Sequence, residues 1–467
     1  MTDGLGLGDA YGATIERIKA QDGDKSRLGI EALMWVSHAE QPLKAGELCH
    51  ALAIELGSRD FNVENAPSIS KVVSCCQGLI AVDKEASTVR LIHFTLQEYL
   101  SAHRDIFSRP HSAMAEVCLT YMNSERVKAL SDGLFLNLLD MPFLEYCSLY
   151  WGVHAKRELS DDAKLLALEL LREYNDHISA VFIFQQLGYG WYFDDLRFSG
   201  LHCASFFGIA EVAAALIELG CITGINEEDT AGFTPLGWAA HNGDDKTVNI
   251  LLGCEEVNPD KPDEYGLRTP LSRAAQNGHE EVVKILVGRE EVGSDKPDRY
   301  CQTPLSYAAE NGHQGVAKIL LAQEEVNPDR PDFEGRTPLL YAVSGGHEAV
   351  VKMLLGRGEV DPDRPGNWGH TPLSCAAGRG HEGVVKTLLV QKEVNPEKPD
   401  RKGRTPLWHA IQNRQEGTVK ALLAREEVNP NKADNSGETP LMLATGHGDQ
   451  KMMALLQPYQ VVTNHTI

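Results

Sequence analysis

The sequence predicts a mainly α-helical protein in two parts, a non-repetitive N-terminal third and a helical solenoid of about eight units. Three observations lead to this prediction. First, 467 residues exceed the size at which a single hydrophobic core keeps growing. Second, the triplet Thr-Pro-Leu recurs seven times between residues 234 and 441, at steps of 34 or 35 residues, and residues 199–204 form a degenerate earlier copy. Third, residues 1–195 show no such period, so they form a separate unit.

Each repeated unit carries the same signals for two short helices. Thr303 is a natural N-cap, and Pro304 occupies the first helical position, where its missing N–H costs nothing. Gly312 supplies a left-handed cap that ends this helix, and a second helix with apolar residues at helical spacing starts near His313. A loop rich in proline, aspartate and glycine then leads to the next Thr-Pro-Leu.

A loop and two antiparallel helices per unit, with Thr-Pro-Leu and Gly-His landmarks, resemble the ankyrin repeat, and we assign residues 196–467 to such an array. The extra residue of each unit falls in the Val-Asn-Pro-Asp connection. The histidine that follows Thr-Pro-Leu in this family is retained only as His202. We expect the fold to survive this departure, with the units of Trp408 and Met442 the least regular.

The N-terminal third divides into two predicted domains. Residues 27–110 show three helical patterns and two strands, 79–82 and 89–94, which is a winged-helix arrangement, and a short helix follows directly. Residues 111–195 show helical patterns throughout and are predicted to form a helical connector domain.

Several segments of this third resemble fungal NACHT–ankyrin proteins, which are similar in layout to NOD-like receptors. These segments are Tyr11-Gly12-Ala13-Thr14-Ile15, Leu33-Met34-Trp35-Val36-Ser37, Cys75-Cys76-Gln77-Gly78-Leu79, the stretch Ile92 to Leu100, and Leu149-Tyr150-Trp151-Gly152. The resemblance implies a NACHT ATPase, a winged-helix connector and a repeat sensor in that order. The NACHT domain is missing here, so residues 1–26 are interpreted as a linker or helix remnant that follows it.

Composition and motifs argue against most chemistry. A net charge of −22 opposes binding to nucleic acid or anionic membranes, and no apolar run reaches the roughly 18–20 residues that span a bilayer. Residues 23–26 lack the preceding strand and glycine-rich loop of a phosphate site. Histidines one unit apart cannot share a zinc ion, because helices pack about 8–10 Å apart and zinc ligands lie about 2 Å from the metal. We therefore expect no catalysis, cofactor, metal or small-molecule substrate, and the scattered cysteines favour a cytoplasmic protein.

The remaining candidate site is a surface. In an ankyrin-like stack the loop tips and the first helices line a concave face, and aromatic and arginine side chains dominate interface energetics. We predict that a protein partner binds there, with an apolar patch flanked by carboxylates. The predicted binding residues are Tyr265, Arg268, Arg299, Tyr300, Phe333, Arg336, Trp368, Arg401, Lys402 and Arg404.

The predicted function is therefore a protein-interaction scaffold or sensor, the repeat half of a NOD-like-receptor-type protein. Two alternatives remain open at this point. The winged helix can belong to a DNA-associated regulator, although Lys71 is the only basic residue of its third helix. Alternatively, the chain is a non-catalytic subunit of an enzyme complex.

Overall fold

The computed structural model describes residues 6–58, 65–83, 85–130, 141–174, 177–189, 196–221 and 224–459. The chain forms two compact units. The first comprises Met1–Pro235 and Gly253–Glu256, and the second comprises Leu236–Leu252 and Val257–Ile467. Within the described residues, no helix is both long and apolar enough to cross a bilayer.

Within the residues that the structure describes, the first unit begins with five helices and a two-stranded sheet. These elements are α1 (Leu7–Lys19), α2 (Gly23–His38), α3 (Ala45–Ala51), α4 (Ile69–Cys75), β1 (Ile80–Val82), β2 (Val89–Leu91) and α5 (Phe94–Ala102). The strands pair antiparallel, with Ala81 opposite Arg90, and an isolated bridge joins Lys44 to Thr88 beside them. Helices followed by a hairpin are the winged-helix arrangement expected from the sequence.

The second strand is shorter than predicted. It ends at Leu91, and Phe94, predicted to be its last residue, instead opens α5. The reason is local, because the imidazole of His93 accepts a hydrogen bond from the backbone N–H of Thr95 at 3.3 Å and caps the helix. The prediction that residues 92–94 belong to the strand was therefore wrong.

In the described remainder of the first unit, all the regular secondary structure is helical. Its helices are α6 (Pro110–Met122), α7 (Glu125–Lys128), α8 (Leu144–Arg157), α9 (Asp161–Leu171), α10 (Ser179–Gln186), α11 (Gly200–Phe207) and α12 (Ala210–Glu218). Trp35 of α2 lies at the centre, with its ring 5.4 Å from that of Phe143 and 5.9 Å from that of Tyr146. The predicted boundary between the connector and the array, near residue 195, lies outside the described residues.

The second unit is built from regularly repeated helix pairs, as the 34-residue period predicts. The helices are α13 (Pro235–Asn242), α14 (Asp245–Leu252), α15 (Pro270–Asn277), α16 (Glu280–Val287), α17 (Pro304–Glu310), α18 (Gln314–Leu321), α19 (Pro338–Gly345), α20 (Glu348–Leu355), α21 (Pro372–Arg379), α22 (Glu382–Leu389), α23 (Pro406–Gln412), α24 (Glu416–Leu423), α25 (Pro440–Gly446) and α26 (Gln450–Leu456). A 3-10 turn, Gln457–Tyr459, follows the last helix.

The threonines cap the first helices of these pairs. The hydroxyl oxygen of Thr303 accepts from the backbone N–H of Ser306 at 3.2 Å, and that of Thr337 accepts from Leu340 at 3.3 Å. A glycine ends these first helices except in α23, where Arg414 takes its place with φ of +57°. The glycine is needed for two reasons. Gly312 has φ of +72°, and a Cβ there would lie 2.4 Å from Nδ1 of His347.

The recurring histidines link neighbouring units. The ring Nε2 of His313 bonds the carbonyl oxygen of Gln276 at 3.0 Å, and that of His347 bonds the carbonyl oxygen of Glu310 at 2.9 Å. This is the hydrogen-bonding role that the sequence favours over metal binding for these histidines.

The Val-Asn-Pro-Asp connections, which contain the extra residue of each unit, are joined to one another by a series of ion pairs. Nη1 of Arg364 donates to the backbone oxygen of Asp329 at 3.1 Å and to its Oδ2 at 2.8 Å, and Nη1 of Arg330 contacts Asp295 in the same way. Burial raises the pKa of the Asp329 carboxyl, while the bond from Arg364 opposes this effect. Each basic residue therefore fastens its own unit to the preceding one.

Candidate protein-interaction surface

Most loop tips are held by a buried aspartate, as at Asp263, Asp298, Asp332 and Asp400. Oδ1 of Asp298 accepts from the backbone N–H groups of Tyr300 and Gln302, both at 2.8 Å, while Oδ2 accepts from the Tyr307 hydroxyl at 2.6 Å. Burial, aided by the bond to Asp298, raises the pKa of the Tyr307 hydroxyl, so this group remains a donor. The carboxylate therefore ties the tip to the first helix of its unit.

Four aromatic side chains project from consecutive tips. Tyr265 is 56% exposed, Tyr300 55%, Phe333 67% and Trp368 72%. We call these four residues the aromatic row. Large aromatic side chains left in solvent at neighbouring places are unusual, since such residues normally bury most of their surface.

The four aromatic residues do not occupy equivalent positions in their loops. Tyr300 is the second residue after the anchoring aspartate Asp298, whereas Phe333 is the first residue after Asp332. Trp368 is again at the second position, although Gly366 replaces the aspartate there. The ring of Phe333 is therefore one residue nearer the start of its loop than the other three rings, and Glu334 occupies the position that holds a ring in the other tips.

Backbone hydrogen bonds join neighbouring tips. The N–H of Phe333 donates to the carbonyl oxygen of Tyr300 at 3.1 Å, and the N–H of Asn367 donates to that of Glu334 at 2.8 Å. The same bond runs from Arg299 to Gly266 at 2.9 Å. These bonds hold the backbones of consecutive tips side by side, so the side chains of the aromatic row project from a connected support.

Three of the predicted binding arginines are engaged inside the array. Nε of Arg336 donates to Oδ2 of Asp332 at 2.9 Å, and its guanidinium carbon lies 4.9 Å from the ring centre of Tyr341. Arg404 makes the same two contacts, with Asp400 and over Trp408, and Arg268 lies over Tyr307 at 5.0 Å. These arginines brace the tips, and only part of each guanidinium faces solvent.

The other predicted basic residues differ from these arginines. Arg299, Arg401 and Lys402 are exposed at the tips, and in the described part of the chain no carboxylate lies within ion-pair distance of them. They form a second group beside the aromatic row. We call Arg401 and Lys402 the basic tip.

Sequence reasoning missed one irregular tip. Position 370 holds a histidine where neighbouring units hold Arg336 and Arg404, and its ring lies 5.0 Å from that of His409. Nε2 of His409 contacts Oδ2 of Asp400 at 3.2 Å. Burial, together with His370 and Arg404, lowers the pKa of His409 to about 4, so the ring is neutral near pH 7. The sequence signal that could have revealed this irregular tip is His370, the residue directly before Thr-Pro-Leu.

This geometry defines the class of protein: a stack of helix pairs that displays loop tips, preceded by a winged-helix domain in a helical unit. Comparison with known families agrees. Residues 17–109 match the family described as GPI inositol-deacylase, winged helix domain. Ankyrin repeats match in overlapping segments, which are 236–332, 271–366, 325–400, 347–434 and 389–466.

The protein therefore carries ankyrin repeats after an N-terminal winged-helix domain, which confirms the predicted fold class. No curated protein matches the chain. The NACHT and NOD-like assignment stays an interpretation of the sequence.

Proposed function

We propose that this protein is a non-catalytic interaction scaffold whose ankyrin array binds a protein partner through the aromatic row and the basic tip. Ankyrin repeats support an interaction role in general. The observation that carries the specific proposal is the run of four exposed rings, Tyr265, Tyr300, Phe333 and Trp368, on consecutive tips.

The energetics favour the row as the centre of an interface. Tyrosine and tryptophan are enriched among residues whose truncation costs more than about 2 kcal/mol of binding energy. Tyr300 and Trp368 also pay little conformational entropy, since each has two side-chain torsions and stands on a tip fixed by backbone bonds. A partner that covers both rings gains apolar contact without ordering the array.

Charge indicates what surrounds the apolar patch on the partner. Arg299 precedes Tyr300 on the same tip, and Arg401 and Lys402 lie one tip beyond Trp368. Because no carboxylate of the described chain pairs with these three, the partner supplies the counter-charge. We therefore propose a partner with an apolar patch bordered by aspartate or glutamate side chains.

The wider context is part of the same proposal. A winged-helix domain followed by ankyrin repeats is the order that the resemblance to NACHT–ankyrin proteins implies. We propose that the protein acts in the cytoplasm as the sensing half of a NOD-like-receptor-type system, without a cofactor of its own for that role.

The test compares two exposed surfaces of the array. The double variant Tyr300→Ala/Trp368→Ala should bind a partner that was selected with the wild-type chain about 30-fold or more weakly. This loss of affinity corresponds to about 2 kcal/mol of binding free energy. The matched control is Val390→Ala with Met442→Ala, which removes side chains that are 77% and 58% exposed but lie outside the row. Isothermal calorimetry gives both affinities, and circular dichroism verifies that each variant folds. Equal affinity for wild type and both variants would exclude the aromatic row as the binding site.

A second pair of variants separates the charged contacts. The double variant Arg401→Glu/Lys402→Glu should lower the association rate. The effect should shrink in high salt, because salt screens interactions between exposed charges beyond the Debye length, which is about 8 Å at physiological ionic strength and shorter at higher salt. Arg404 is not included, since it braces Asp400 and Trp408. An association rate that is unchanged at low salt would show that the basic tip does not face the partner.

A further inference from the structure

Two histidines and a glutamate from three different segments meet in the first unit. His111 lies in α6, His154 lies in α8, and Glu40 follows α2. The two Nδ1 atoms are 2.9 Å apart, and the three ligand atoms all lie within 4.8 Å of one another. We propose that Glu40, His111 and His154 form a zinc site, and we call these three residues the His-Glu cluster. This inference departs from the sequence-based prediction of no metal, which weighed only the histidines of the repeats.

The buried histidine is already oriented as a metal ligand. His154 is fully buried, and its Nε2 lies 2.9 Å from the hydroxyl of Tyr146. That hydroxyl also accepts the backbone N–H of Glu40 at 3.2 Å. With Nε2–H donating to Tyr146, the lone pair of Nδ1 points toward His111. Zinc-bound histidines are held in this way, because a partner on the second ring nitrogen fixes the tautomer and the ring direction.

The donor set and its spacing suit zinc. Two imidazoles and a carboxylate are common zinc ligands, with bonds of about 2.0–2.2 Å, so that donors around a tetrahedral ion lie about 3.3 Å apart. The two Nδ1 atoms must therefore separate by about 0.4 Å. His111 is only partly buried and can move by this amount. Three protein ligands leave a fourth position for water.

An entry path exists on the side of His111. A cavity of about 560 Å³ is lined by His38, His111, Arg157 and Glu158 among others. It brings solvent to the edge of the cluster without exposing His154. A hydrated ion can thus reach the site and keep one water molecule on the cavity side.

One side chain competes with the metal. The guanidinium of Arg157 contacts both carboxylate oxygens of Glu40, one of them at 3.1 Å. Zinc binding therefore requires this ion pair to open. Arg157 is 48% exposed, so its guanidinium can turn into solvent. This makes Arg157 a competitor of the ion, and its removal should tighten binding.

The array contains a similar trio that serves as the control. His370, Asp400 and His409 also place ligand atoms within 4.8 Å. Here, however, the carboxylate is held by Arg404, which is only 17% exposed and lies over Trp408. Oδ1 of the same aspartate anchors the tip backbone. Releasing Asp400 would unfasten the loop, so this trio should not compete for zinc.

The test adds Zn²⁺ or Co²⁺ to the metal-free full chain. Wild type and His370→Gln should bind one zinc ion by calorimetry and melt about 5 °C higher in saturating zinc. His111→Gln and Glu40→Gln should lose both effects while keeping the wild-type circular dichroism spectrum. Arg157→Gln should bind about tenfold more tightly, because the competing cation is gone. Co²⁺ should give tetrahedral absorption bands without a thiolate charge-transfer band.

Several results would overturn the site. They are no zinc binding by wild type, zinc binding retained in His111→Gln, or zinc binding lost in His370→Gln. In the first case the two Nδ1 atoms share a proton in a plain hydrogen bond. A thiolate band in the Co²⁺ spectrum would place the metal at a cysteine and would equally exclude the His-Glu cluster.

Discussion

The two units of this protein reach stability by different routes. In the first unit, contacts join residues far apart in the chain, such as Trp35 with Phe143 and Glu40 with Arg157. In the second, the same short-range bonds recur every 34 residues, such as those of Thr303 and Thr337 to their own helices. A destabilising substitution in the first unit should therefore lower the stability of the whole unit. In the array, the loss of stability should stay close to the substituted unit, because stability there is a sum of unit and interface terms.

The largest expected effect comes from the centre of the first unit. Trp35→Ala removes a ring that is 1% exposed and packed against Phe143 and Tyr146, at a cost of about 3–5 kcal/mol. The matched control is Trp368→Ala in the array, which removes a ring that is 72% exposed and should change stability by about 0.5 kcal/mol or less. Hydrogen exchange across residues 28–157 measures the loss. Similar protection in the two variants would contradict the contrast between the units.

Acid should weaken the first unit through its buried histidines. Burial lowers the pKa of His202 to about 4, although its bonds to the carbonyls of Glu227 and Phe233 act in the opposite direction. The folded pKa lies below the unfolded value of about 6.5, so the unfolded chain binds the proton first. This stability is fully present above pH 6.5 and is lost as pH falls toward 4, by about 2 kcal/mol at pH 5.

Hydrogen exchange at pH 7 and pH 5, corrected for the intrinsic rate, tests the effect of acid on residues 199–218. His177, with its pKa also lowered to about 4 by burial, should act in the same sense on α10. A His202→Gln variant has no titrating group and should lose this part of the pH dependence, even though it starts from lower stability. A wild-type stability that stays flat between pH 7 and pH 5 would show that His202 is not held neutral.

The smallest effect tests locality within the array. Thr337→Ala removes an N-cap from α19 and should cost about 1 kcal/mol. Thr439→Ala removes the corresponding cap from α25, where Met442 is already 58% exposed, and should fray only the end. Urea denaturation, with hydrogen exchange measured in peptides from each unit, distinguishes the two variants. Equal loss of cooperativity at both sites would contradict a linear array.

The array was largely predictable because its interactions lie within one or two units of sequence. The N-cap of Thr303, the left-handed Gly312 and the second helix after His313 each depend on neighbours inside one period. The same reasoning expected the unit of Trp408 to be irregular, and Arg414, with φ of +57°, does replace the glycine that ends the first helix in other units. Trp408 itself is nevertheless buried, and its threonine cap is kept. A ring can replace the usual histidine there because Arg404 covers it.

Side-chain direction was the part that could not be predicted. Arg299 and Arg336 are both arginines on loop tips, but Arg336 turns inward because Asp332 and Tyr341 lie within reach. In the first unit, His111 and His154 are 43 residues apart, and no period indicates that their rings meet. Such pairings arise only when α6 packs against α8.

The backbone bonds between tips have a consequence for how this surface can change. Each bond uses an N–H and a carbonyl that every amino acid possesses, apart from the N–H that proline lacks. The donor positions 299, 333, 367 and 435 therefore exclude proline, and at 367 and 435 the asparagine side chain adds a bond of its own to the preceding tip. A library of arrays with randomised tip side chains should contain variants that fold alike and bind different partners. Binding specificity can therefore change one substitution at a time, with every variant along the way still folded.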